Sequence, residues 1–246
     1  MSRPVPGLFF PIAAILLTAA IAIPILALLV SVSPREFAVA FAAPAARDAV
    51  RVSLLASSIA TACATLLGVP GGYWLARAPR RVGAAILFVL ALPLAFPPIA
   101  SGILLLSALR FTPLPDSLAG VAAAEFFVSG SFVAIASAAA FAALDQQRED
   151  AARTLGVSEW RIFRSIALPA AAGNVAAGIA FAWLRAIGEY GATSIVAYHP
   201  TSLPVALYVA LSASGVRAAL ALTYGFVLLA VAVLAVRWVF RRGVVV

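Results

Sequence analysis

An all-α integral membrane protein is the fold class this sequence predicts, and three observations predict it. Of the 246 residues, 64% are hydrophobic and only 11% charged. The mean hydropathy is +1.09. The apolar residues gather into about six stretches of the length a membrane crossing needs, about 20 residues each. These run from Leu8 to Val30, Val52 to Ala76, Gly83 to Leu109, Leu118 to Leu144, Pro169 to Ile187 and Ala218 to Phe240. They use up the chain, so no soluble domain of ordinary size fits between them and any large soluble function must come from partners.

The first stretch carries Thr18 and Pro24 in a Leu, Ile and Ala background without a polar face, which predicts a peripheral helix facing lipid. It is too long for a signal-peptide core and no small-x-small cleavage site follows it, so it is expected to stay. In the second stretch Ser53, Ser57, Thr61 and Thr65 recur every four residues and Gly68 and Gly72 prolong the stripe. Small and hydroxyl residues on one face serve close helix packing, the commoner use, or line a wet path. The third stretch contains Pro93, Pro97 and Pro98 followed by Gly102. Prolines inside a helix remove donors and force a kink or break, and broken backbone at membrane depth is tolerated only inside protein or against a water-filled cavity.

A short connection from Arg110 to Ser117, stiffened by Pro113 and Pro115, leads to the fourth stretch, where Glu125 must face protein or the water boundary because an ionised carboxylate facing lipid is costly. The polar segment from Asp145 to Leu168 reads as two short helices with a corner at Gly156–Ser158: Gln147 to Leu155 are helix formers, Gly156 suits the left-handed position past a helix end and Ser158 suits a cap. Leu155, Trp160 and Phe163 are apolar anchors beside Arg153, Arg161 and Arg164, a pattern suited to a soluble partner's groove. Pro169 opens the fifth stretch at a first-turn position. After it, Arg185-Ala186-Ile187-Gly188-Glu189-Tyr190-Gly191-Ala192-Thr193 interrupts the apolar pattern. Arg185 and Glu189 are one turn apart and either neutralise each other or serve a gate or path.

The formal charge of +8 is distributed as a topology signal. With the N-terminus inside, Arg3, Arg77, Arg80, Arg81, Arg148, Arg153, Arg161, Arg164, Arg237, Arg241 and Arg242 fall on the cytoplasmic side, and Arg35, Arg47, Arg51, Arg110 and Arg217 outside. Both termini are therefore expected in the cytoplasm of a multi-pass protein of the cell membrane, and nucleic acid is not an expected partner. The chain has no lysine, so it has no Gly-x-x-x-x-Gly-Lys-Ser/Thr phosphate loop and does not hydrolyse ATP by that route. Cys63 is alone, His199 is the one histidine, and no carboxylate or histidine cluster offers a metal site or an enzyme's active site.

The polar segment resembles a known family. Asp150-Ala151-Ala152, then Gly156, then Ile166-Ala167-Leu168-Pro169, is similar to the signature loop of the permease subunits of ATP-binding-cassette (ABC) importers, with Asp150 where that family commonly has Glu and Glu149 just before it. Leu92-Pro93-Leu94-Ala95-Phe96-Pro97-Pro98, Gly188-Glu189-Tyr190-Gly191-Ala192 and Ser202-Leu203-Pro204-Val205-Ala206-Leu207-Tyr208 are similar to runs in the branch that moves molybdate, tungstate and sulfate. The resemblance covers about residues 50 to 240. It implies a MetI-like type I importer bundle, with an N-terminal helix and outer loop over 1–48, a core over 49–240, a coupling loop at 145–169 and a cytoplasmic tail at 241–246.

By the same resemblance, Glu149, Asp150, Ala151, Ala152, Gly156, Ile166, Leu168 and Pro169 couple the chain to an ATPase, either carboxylate taking the family's role. Pro93, Pro97, Pro98, Arg185, Gly188, Glu189, Tyr190, Gly191 and Thr193 are path or gate candidates. The implied partners are ATPase subunits that carry ATP and Mg, no cofactor being held by this chain. A periplasmic or lipid-anchored binding protein and a second permease copy, a homodimer, complete the set. The implied cargo is molybdate or tungstate, with sulfate, thiosulfate or another small solute as alternatives. Two rivals of other classes are a proton-coupled transporter using Glu125 and Glu189, and a membrane scaffold that recruits a soluble protein.

Overall fold

The computed structural model describes residues 8–242, with side chains through 235, and every regular element among them is helical. Arg3, Arg237, Arg241, Arg242 and the expected 241–246 tail lie in part or wholly outside the described residues or side chains. The long helices are α1 (Phe9–Ser31), α3 (Pro44–Leu75), α6 (Leu118–Ala142), α9 (Leu168–Ile187) and α12 (Val216–Arg242), and between them lie α2 (Pro34–Ala42), α4 (Arg80–Ala95), α5 (Pro98–Leu109), α7 (Gln147–Thr154), α8 (Glu159–Ile162), α10 (Gly191–Val196) and α11 (Leu203–Ser214). Five helices are long and apolar enough to cross a membrane, or six spans if the bent α4–α5 pair is one.

α1 buries no residue and rests on α12, in keeping with a helix surrounded by lipid. The centre of the bundle is α3 against α6, with α9 packed on both. The hydroxyl and glycine stripe of α3 explains this pairing. Ser53, Ser57, Thr61, Gly68 and Gly72 are all buried, and a Cβ on Gly72 would stand 2.6 Å from Ser137 Cβ and 2.8 Å from the Ala138 amide nitrogen. The stripe is therefore a packing face: with only small hydroxyl side chains, and none at Gly68 and Gly72, the two backbones approach closely.

The proline-rich third stretch is broken, as its sequence requires. Phe96 and Pro97 are extended, α5 restarts with Pro98 in its first turn, and α4 and α5 diverge by 112°. α5 then packs on α10, where a Cβ on Gly102 would lie 2.8 Å from Ile195 Cβ and one on Gly191 would lie 3.0 Å from the Ile99 amide nitrogen.

Three elements differ from the sequence reading. The connection after α1 is not an open loop but the amphipathic helix α2, held by a capping box in which Ser33 and Glu36 satisfy each other's amides and Pro34 starts the helix. The next helix begins at Pro44, ahead of the 48/49 boundary, because Pro44 sits comfortably in a first turn. The run after residue 202 forms the short helix α11, which turns into α12 at Gly215 with φ +80°.

Candidate docking loop and broken-helix region

The loop between α6 and α9 is built from local signals. The Asp145 carboxylate accepts the Gln147 amide at 3.0 Å, and Glu149 and Asp150 in the first turn with Arg153 in the last match the helix dipole of α7. The helix ends in a Schellman motif: the Val157 amide donates to Ala152 carbonyl (3.1 Å), the Gly156 amide to Arg153 carbonyl (3.0 Å), and Gly156 takes φ +75°. Ser158 stands at the N-cap of α8 in an extended conformation, yet its side chain makes no capping bond, so the cap is one of backbone geometry alone.

α8 runs without interruption through a π-helical turn, Phe163–Ala167, into α9. Pro169 takes the first-turn position of α9 that its sequence predicts, and the wide π turn just before it, which joins α8 to α9 without a break, accommodates a residue that lacks a donor and crowds the carbonyl four residues back.

The corner is clasped from within. Arg153 donates through Nε to Glu159 Oε1 (2.6 Å), through Nη1 to Asp150 Oδ1 (2.6 Å), and through Nη2 to Glu159 Oε2 (3.1 Å) and Glu149 Oε2 (3.3 Å). The hydrogen bond to Glu159, followed by that to Asp150, raises the Arg153 pKa further above its already high value. Arg153 thus organises the loop, whereas its sequence neighbourhood grouped it with partner-facing residues. Phe163 also points inward, stacked in the core with Tyr73 and Phe141. What the corner presents outward is Leu155, 83% exposed, and Trp160, 66% exposed, with Ala151 beside them. Ala152 is buried, so only one of the two alanines is on the open face.

The two acidic neighbours separate sharply. The Asp150 side chain is 66% exposed and bonds to Arg153, whereas Glu149 is 1% exposed. Glu149 accepts from Arg77 Nε at 2.7 Å, from Arg77 Nη2 and from the Tyr73 hydroxyl at 3.1 Å. The Arg77 guanidinium lies 4.0 Å above the Tyr73 ring. Sequence reasoning missed Tyr73 and Arg77, taking Arg77 for a topology charge beside Arg80 and Arg81. The available signal was their four-residue spacing, which puts an aromatic and a cation on one face. Ile166 and Leu168 are half-buried and Pro169 is exposed.

At the interrupted segment, Arg185 Nη1 donates to Glu189 Oε2 at 2.5 Å, and Glu189 Oε1 accepts the Ala192 amide at 2.9 Å, at the start of α10. The ion pair expected from the spacing is present, and the second oxygen is spent on a helix end. Pro98 and Gly191 meet across the α5–α10 contact, Tyr190 stacks near Tyr208 (4.9 Å between centroids), and Thr193 is fully buried. Gly188, at the end of α9, and Pro97 are exposed. Pro93 is not part of this group. It lines a separate cavity of about 540 Å³ with Gly68, Leu90, Phe127 and Ser131, between α3, α4 and α6. Glu125 is buried completely in α6, and among the described residues neither carboxylate oxygen has a partner at full hydrogen-bond geometry, the Ser57 hydroxyl of α3 standing near it. Among the described residues, no group of His, Cys, Asp and Glu could hold a metal ion.

Comparison with known proteins places this architecture. A family model described as "binding-protein-dependent transport system inner membrane component" matches residues 68–242, from the glycine stripe of α3 through the docking loop to the last helix. The chain belongs to that family. It is 37% identical over 205 residues, 80% of its length and 76% of the relative's, to a Haloferax volcanii protein named as a probable molybdenum ABC transporter permease. It is 38% identical over 196 residues, 79% of each chain, to the molybdate/tungstate transport system permease protein of Thermococcus kodakarensis. The crystal structure of a bacterial alginate ABC transporter in complex with a pentasaccharide-bound periplasmic protein contains a chain that superimposes with a TM-score of 0.66 at 15% identity, covering 93% of this chain and 92% of that one. The fold is that of a type I ABC importer permease, a multi-pass membrane transport component.

Proposed function

We propose that this permease forms the translocation path of an ATP-driven importer for a tetrahedral oxyanion, molybdate or tungstate. A separate ATPase subunit docks on α7–α8, a periplasmic or lipid-anchored binding protein delivers the anion at the opposite face, and a second copy of the chain completes the path. The observation that carries the reading is the docking loop: a clasped corner that holds Leu155 and Trp160 outward while Phe163 and Glu149 anchor it inward. A rigid apolar knob on a short helix suits a groove on a soluble partner. The molybdate and tungstate relatives support the cargo.

In this reading, closure of two ATPase subunits draws the two docking loops together and turns the cavity toward the binding protein, and hydrolysis resets it. ATP and Mg stay on the ATPase, and both chain termini lie on the ATPase side of the membrane. The test is uptake of labelled molybdate and tungstate by proteoliposomes holding the chain, its ATPase and its binding protein. ATP-dependent uptake of molybdate or tungstate that excess sulfate fails to displace supports the assignment. Displacement by sulfate or thiosulfate shifts the cargo. Uptake that needs a proton gradient and no ATPase would favour a proton-coupled carrier, and docking without flux a scaffold.

A further inference from the structure

We propose that α3 carries the motion of the docking loop across the membrane and that Arg77 is the positioning residue joining the two. The inference rests on the importer reading above and identifies where its energy enters the bundle.

The loop touches the bundle through few polar links. Arg153 ties α7 to α8 and stays within the loop. Glu149 makes the closest polar link out of it among the described residues: its carboxylate takes Tyr73, in the last turn of α3, and Arg77, just past the end of that helix, and at 1% exposure it is shielded from competing water. Around the pair, Tyr73 meets Phe141 of α6 and Phe163 of the π turn with centroids 5.3 and 5.1 Å apart, so the joint is stiffened by aromatic packing on two sides. A charge-assisted forked contact in such surroundings holds direction as well as distance.

The far end of α3 is also pinned. The Ser53 hydroxyl, fully buried, accepts the Leu203 amide at 2.8 Å, satisfying a donor in the first turn of α11. From Ser53 to Leu75 a helix spans about 33 Å, the depth of a bilayer core. Toward its loop end, the buried Gly68 and Gly72 hold α3 tightly to α6. One helix therefore has its loop end clamped to the docking loop and its other end bonded to the α10–α11 region beside the broken helices. A displacement of α7 moves Arg77 with it, and α3 delivers the displacement to Leu203.

Coupling is best read as oxyanion transported per ATP hydrolysed, measured for each complex that assembles, which a loss of folding alone would leave unchanged. The reconstituted complex of permease, ATPase and binding protein is compared for wild type, Arg77→Gln, Arg77→Lys and Ser53→Ala. The inference expects the ratio to fall at least about fivefold in Arg77→Gln, the low end of typical coupling between sites. It expects only partial recovery in Arg77→Lys, which keeps a cation opposite Glu149 but loses the fork and the planar contact with Tyr73, and a fall in Ser53→Ala at the far end. A wild-type ratio in Arg77→Gln complexes, even with poor assembly, overturns the role of Arg77. A wild-type ratio in Ser53→Ala overturns α3 as the carrier. If the wild type itself shows no ATP-dependent oxyanion uptake, the importer reading fails and this inference falls with it, an outcome separate from either mutant result.

Discussion

Two glycines allow the same substitution to be tested with opposite expected signs. Gly156 and Gly173 are both exposed, and a Cβ built on either meets nothing within 4 Å. Gly156 sits at φ +75° past the end of α7, while Gly173 lies inside α9. At Gly156 an alanine must hold a left-handed conformation at a cost of about 1–2 kcal/mol. Reduced freedom of the unfolded chain offsets about 0.4–1 kcal/mol of that, leaving a net loss of about 1 kcal/mol. At Gly173 the helical alanine is favoured by about 0.8–1 kcal/mol. In a chain of this size 1 kcal/mol moves a melting midpoint by about 2–4 °C. Thermal melts of purified protein should therefore show Gly156→Ala falling, Gly173→Ala rising, and Gly156→Asn closer to wild type because Asn tolerates the left-handed region. Movement of both alanine variants in the same direction would refute the argument that backbone conformation, with no steric term, sets the need for glycine at the loop corner.

Three further outcomes are expected. Gly72→Val puts side-chain atoms where Ser137 and the Ala134–Ala138 backbone already stand, and should destabilise the α3–α6 contact by about 1–3 kcal/mol, read as a fall in melting midpoint and in folded yield. Glu125→Leu removes a buried carboxylate without a well-formed hydrogen bond among the described residues, so its midpoint should equal or exceed wild type, by up to about 1–3 kcal/mol; a clear fall would show instead that the nearby Ser57 hydroxyl stabilises the carboxylate. The pKa of Glu36 is held below its ordinary value by the Ser33 amide first, then the Ser33 hydroxyl and Arg217. A depressed folded pKa stabilises above the unfolded value, about 4.3, and that contribution is lost as pH falls through the folded pKa. Amide exchange over residues 34–42 should accordingly quicken with acid below about pH 4 beyond the intrinsic trend, and Glu36→Gln should remove the change.

Much of the bundle was legible because the membrane simplifies the problem: long apolar runs have one solution, and the adjacent Pro97 and Pro98 broke theirs while Pro93 stays inside α4. The loop corner was legible too, since Gly156 has a backbone role that few residues can fill. What escaped was set by tertiary neighbours. Residues 34–42 carried a capping box in Ser33 and Glu36, but sat in what looked like a short connection. Leu203–Ser214 is apolar yet too short to count as a crossing, and only its packing against α3 and α12 makes it a distinct helix. The choice between Glu149 and Asp150 could not be made from adjacent letters. It depended on Arg77, 72 positions away, reaching one carboxylate and not the other.

In the proposed importer a soluble partner engages the outward face of the α7–α8 corner. Hydrogen exchange of the permease in detergent or nanodiscs, with and without its ATPase, tests it most directly. New protection is expected over residues 150–162, centred on Leu155 and Trp160, and weakened by Trp160→Ala. Complex formation that leaves this segment unprotected while shielding another surface would contradict it.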